Sequence, residues 1–115
     1  MSKNKNKVMQ PSQPTEKELL KKLLIPLLED FEYWFSRSLS LLESERISLL
    51  SLEQQEDLLN RIKESQKEVQ TARMLFKVTE AQAGVDTKIL MRWHQLVAEC
   101  WNVARQWRLQ KQQSQ

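Results

Sequence analysis

A single glycine, Gly84, serves the whole 115-residue chain, and only three prolines join it. A β-sheet needs many tight turns, and each turn type makes its own demand for Gly, Asn or Asp. This chain draws instead on Leu, Gln, Glu, Lys, Arg and Ala, the residues that lose least on entering a helix. The fold class it specifies is all-α. Apolar residues make up 40% of the chain, enough for one core, and the length suits one domain rather than two.

The first helix is announced by Thr15 and Glu18, the spacing of a capping box in which hydroxyl and carboxylate each satisfy a first-turn amide. From Leu20 the apolar positions fall at Leu24, Leu27, Phe31, Trp34 and Leu41, widened by Leu23, Leu28, Phe35 and Leu42. That stripe is broad enough to meet two neighbours. Pro26 interrupts it by removing one backbone hydrogen bond and crowding the preceding turn, so a kink, or a short leading helix, is expected there. Tyr33 points away from the stripe, near Lys22, Glu29 and Arg37, and reads as a surface residue.

Ser51 with Gln54 is a second capping box. The acidic cluster Glu53, Glu56 and Asp57 complements the positive end of the helix that follows, and is not expected to bind metal. Leu58, Ile62, Ser65, Val69, Ala72 and Phe76 then alternate three and four apart, the seam of a helix packed lengthwise on others. In "AQAGVD" the glycine suits a left-handed C-terminal position, and Asp86 can cap the next helix. So short a link makes helices 2 and 3 antiparallel. The expected architecture is an elongated antiparallel three-helix bundle spanning 15–111, with helices at about 16–49, 52–83 and 87–110, and helix 1 kinked at Pro26.

The net charge of +3 sits on the tail, residues 1–14, which is polar and expected to be disordered. Without Lys3, Lys5 and Lys7, 15 basic residues face 15 acidic ones, a balance that argues against a nucleic-acid-binding body. The tail has no apolar stretch of the secretory kind, and runs such as "LLIPLL" fall far short of the ~20 residues of a spanning helix. One cysteine fits a reducing compartment. A cytoplasmic protein is expected.

"MRWHQLVAECWNVARQW", residues 91–107, concentrates three tryptophans with the only histidine and the only cysteine. At about 100° per residue, Trp93, Cys100 and Trp107 share one stripe with Ile89, Leu96, Val97 and Ala104, the core face of helix 3. Cys100 is then a small buried hydrophobe. His94 lies nearly opposite it, so the two form no nucleophile–base pair, and neither has companions for a zinc site. No catalytic residue, metal or cofactor is expected. Trp101 falls at the edge of the apolar arc beside His94, Arg105 and Arg108. Those four make a candidate protein-binding rim, against the plainer alternative that Trp101 merely covers the bundle edge.

"LLIPLLEDFEYWFSRSLSLLESERISLL" and "AQAGVDTKILMRWHQLVAECW" together resemble a family of short cyanobacterial proteins classed as a domain of unknown function. The resemblance covers about residues 17–108 and brings no activity, cofactor or site residue with it. It implies a cyanobacterial cytoplasm and, by association, a photosynthesis-linked or thylakoid-side setting. A slender bundle with so wide an apolar face is expected to form a homo-oligomer or bind a protein partner. The function expected is that of a non-catalytic accessory, assembly or regulatory factor docking on a larger complex. The alternatives are a peripheral membrane role using Lys3, Lys5 and Lys7 on anionic lipid, and, less favoured, nucleic-acid binding through Arg92, Arg105, Arg108 and Lys111 with Trp101 stacking.

Overall fold

The structure, a computed structural model, describes residues 15–80 and 84–113. Three helices follow one another: α1, Glu16–Ser44; α2, Leu52–Val78; and α3, Thr87–Gln113. There is no strand among the described residues. The expected all-α three-helix bundle is the fold found. The basic tail, with Lys3, Lys5 and Lys7, and the expected last turn of helix 2 at 81–83 lie outside the described residues.

Local chemistry starts each helix as the residues suggest. Thr15 Oγ1 accepts from Glu18 N at 3.1 Å, and Glu18 Oε1 accepts from Thr15 N at 3.1 Å. The Ser51–Gln54 box closes in the same way at 3.0 and 2.8 Å. Asp86 Oδ1 takes the Lys88 amide at 2.8 Å and caps α3.

Helix ends depart from expectation. α1 stops at Ser44, well short of 49, because the chain there is held by side chains from elsewhere. Buried Gln55 donates to Leu42 O and Glu45 O, at 3.0 and 2.7 Å. Its Oε1 accepts from Ile47 N at 3.0 Å and from Arg46 at 2.7 Å. Two of the carbonyls that the helix end leaves orphaned are thereby satisfied, and Ile47 drops into the core. From α3, Gln110 accepts from the Ser48 amide and hydroxyl, each at 2.7 Å. The left-handed residue after α2 is Glu80, with φ 53°, and not Gly84, whose φ is not positive. Thr79 caps the helix through its amide and hydroxyl to Leu75 O, so the chain turns before the glycine is reached.

Pro26 stands inside α1 without ending it, so no separate leading helix forms, and a kink there is not established. Its ring is on the exposed side, where a carbonyl left without a partner can be hydrated. The core joins Leu24, Leu28, Phe31 and Phe35 of α1 to Ile62, Val69 and Phe76 of α2 and to Trp93, Val97 and Cys100 of α3. Leu20, Leu23 and Leu27, expected on the core face, remain exposed together with Leu19. The register explains this. Arg73 meets Glu29 and Glu32, and Gln66 meets Ser36, so α2 ends beside the Leu24–Leu28 turn and leaves the start of α1 uncovered.

Both α2 and α3 pack chiefly on α1, and their own backbones approach each other less closely. Side chains bridge that seam. Arg61 reaches Glu99 at 2.9 Å, and Glu68 Oε1 accepts from Arg92 at 2.7 Å and from Trp93 Nε1 at 2.9 Å. These contacts run α2 and α3 antiparallel, as the short link requires.

Candidate functional site

The parallel pair α1 and α3 meets along a seam whose outer edge carries an aromatic strip. Trp34 of α1 and Trp101 of α3 pack edge to face, with centroids 5.6 Å apart and planes at 84°. Tyr33 adds a second edge contact to Trp34 at 5.1 Å. One turn on, the Arg37 guanidinium lies 5.7 Å from the Tyr33 ring centre and 5.9 Å from that of Trp34, and donates to the Tyr33 hydroxyl at 2.9 Å. Farther along, Lys111 Nζ sits 5.1 Å from the Trp107 ring centre. Between these rings lies a cleft of about 350 Å³ lined by Trp34, Arg37, Cys100, Trp101, Trp107 and Arg108. Cations over ring faces are held loosely at an exposed site, by about 0.5–1 kcal/mol each.

Of the four rim candidates, the structure brings Trp101 and Arg108 to this cleft. His94 and Arg105 are exposed but outside its lining. Trp101 is 46% exposed, and its packing partner Trp34 is half-buried. Trp107, expected in the core with Trp93, is only half-buried against it; Trp93 is 1% exposed. The heptad stripe drifts, so a residue two heptads along reaches the border of the face it started on. The apolar period puts Trp34 on the core stripe and Tyr33 and Arg37 on the surface. The available signal was their spacing, since Tyr33 and Arg37 lie one helical turn apart.

Cys100 forms part of the cleft floor and is buried. Burial pushes its thiol above the ordinary cysteine range, against a smaller opposing effect of a hydrogen bond with Ser38. The neutral thiol is the favoured form, which is the wrong form for a nucleophile. His94 is exposed, away from it. Among the described residues no three His, Cys, Asp or Glu side chains gather as metal ligands, and no helix is long and apolar enough to cross a membrane.

Charge is distributed unequally around the bundle. Every ion pair among the described residues includes a residue of α2: Arg61 with Asp57 and Glu99, Lys63 with Glu43, Arg73 with Glu29 and Glu32, and Arg92 with Glu68. On the α1/α3 side Arg37, Arg105, Arg108 and Lys111 have no carboxylate within ion-pair distance among the described residues.

Fold and edge together define an all-α bundle with a built core and an exposed cationic, aromatic seam. By sequence the chain belongs to the family described as a protein of unknown function (DUF2605), which matches residues 14–109. No curated protein and no solved structure matches it.

Proposed function

We propose that the protein is a non-catalytic helical docking factor, an accessory, assembly or regulatory component that binds a larger protein complex through the α1/α3 edge. The observation that carries this is the Trp34–Trp101 pair, standing outside a core that Trp93 and Phe31 already fill. Trp101 at 46% exposure leaves much of a large apolar ring in water, and such rings beside arginine are the side chains that most often anchor interfaces. The cyanobacterial, photosynthesis-linked setting implied by the resemblance belongs to this proposal.

Native-gel migration of an extract from the source cells tests it. The wild-type chain should travel with a large assembly, and Trp101→Ala should run free while still folded, melting well above Trp93→Ala. Free migration of the wild type would overturn the proposal.

The start of α1 supports a second surface. Leu19, Leu20, Leu23 and Leu27 are exposed beside Lys17, Lys21 and Lys22, a composition suited to self-association or to an anionic membrane surface. Sedimentation alone and with anionic liposomes separates these, and a monomer that ignores liposomes would remove both.

A further inference from the structure

We infer that the α1/α3 edge is built for an acidic amphipathic protein segment, one that sets apolar side chains into the Trp34–Trp101–Trp107 cleft and carboxylates against Arg37, Arg108 and Lys111. This rests on the docking function proposed above and names the chemistry of the partner.

The first support is the charge asymmetry. The bundle has carboxylates enough to balance its cations, yet its ion pairs are gathered on α2. Two of the edge cations lie against aromatic rings instead, Arg37 against Tyr33 and Trp34 and Lys111 against Trp107, while Arg108 lines the cleft between them. Arg37 spends one Nη1 hydrogen on the Tyr33 hydroxyl, at 2.9 Å, and its remaining N–H groups have no carboxylate partner among the described residues, so they are left for one from outside. Arg105, exposed on the same helix, adds to the field that would draw such a partner in. Asp30 lies one turn before Trp34 and bounds the strip on that side.

The second support is the depth of the cleft. It descends past the rings to the buried Cys100 between α1 and α3, so it offers an apolar floor as well as a cationic rim. An anionic partner that contributes only charge would leave that floor unused. A segment with apolar and acidic faces uses both, as a helix laid in a groove does.

Single-stranded nucleic acid fits less well. Successive bases need a run of open ring faces, whereas Arg37 lies over Tyr33 and Trp34 and Lys111 over Trp107, which leaves Trp101 as the one ring of the strip without a cation over it. A membrane surface fits less well too, since a flat array of headgroups does not reach a floor formed by the buried Cys100.

The probe is a phage-displayed library of random peptides several helical turns long, selected on the full chain. The selected peptides should be enriched in Asp and Glu alternating with Leu, Phe or Trp, and their binding should weaken as salt rises. Arg37→Glu with Arg108→Glu should weaken that binding by at least about tenfold, the scale of one lost charge-assisted contact. Lys63→Glu, on the α2 side, should leave it nearly unchanged, and a thermal melt of each variant shows that the bundle is intact. Selected peptides without acidic enrichment, or equal binding to the double variant, would overturn the inference. So would tighter capture of an oligothymidylate or of phosphatidylglycerol vesicles than of the peptides. Neutral peptides that Trp101→Ala releases would sink the acidic partner and leave the docking function standing. Peptides indifferent to both changes would sink the two together.

Discussion

Trp93 and Trp101 stand on the same helix and make the same kind of contact with α1. Trp93 meets Phe31 edge on at 5.6 Å, and Trp101 meets Trp34 edge on at the same 5.6 Å. One is 1% exposed and the other 46%. The difference lies in what covers the outer side of each ring. Trp93 is roofed by α2, whose Glu68 accepts a hydrogen bond from the indole N–H at 2.9 Å. Trp101 faces away from α2 and has only the α1/α3 cleft beside it. Ring packing by itself therefore does not separate core from surface; cover by α2 does.

The comparison breaks first at Trp93. Trp93→Ala should cost ~3–5 kcal/mol, the usual cost of emptying a large aromatic site, out of a total of ~5–15 kcal/mol for a domain. Denaturant unfolding monitored by circular dichroism measures it. A loss as small as that of an edge residue would mean that α2 does not cover this ring.

Trp93→Phe isolates the roof. It keeps most of the ring, removes the donor to Glu68, and should cost about 2 kcal/mol. Burial pushes the Glu68 carboxyl up, but the hydrogen bonds from Trp93 and Arg92 outweigh it and hold the group below the ordinary glutamate range. A carboxyl lowered in the folded state stabilises the fold above its unfolded-state pKa of about 4.3, and that contribution fades as pH falls through the lower folded-state value. Trp93→Phe should therefore flatten the acid limb of the stability profile below about pH 4. The effect is small, because the Glu68 side chain is 46% exposed and solvent screens it. An unchanged acid limb would show that the hydrogen bond contributes nothing.

Trp101→Ala should have the smallest effect on stability, about 1–2 kcal/mol, since nearly half of the residue stays in water. A melt as early as that of Trp93→Ala would place Trp101 in the core and remove the ground for a docking edge.

Much of this molecule is legible along the chain. Both capping boxes, the Asp86 cap, the α2 seam from Leu58 to Phe76, the burial of Trp93 and Cys100 and the border position of Trp101 follow from spacing, because helical periodicity is a local property that neighbours three and four residues apart report. The early end of α1 is of another kind. Nothing between Ser44 and Leu50 forbids helix; it is Gln55, from the following helix, that captures the carbonyls and the Ile47 amide. Leu20, Leu23 and Leu27 carry the same apolar signal as Leu24 and Leu28, and only the point where α2 ends leaves them in water.

Backbone propensity, side-chain caps and a fixed angle per residue are local, so the order of residues is enough to make this chain helical, to set where its helices begin and to choose which stripe of each turns inward. Tertiary structure alone decided that Trp34 and Trp101 meet, that Arg37 is held by rings while Arg61 and Arg73 are held by carboxylates, and how far each apolar stripe is covered. Those outcomes depend on register between helices, which is set by the summed packing of residues far apart in the chain and is written in no single segment of it.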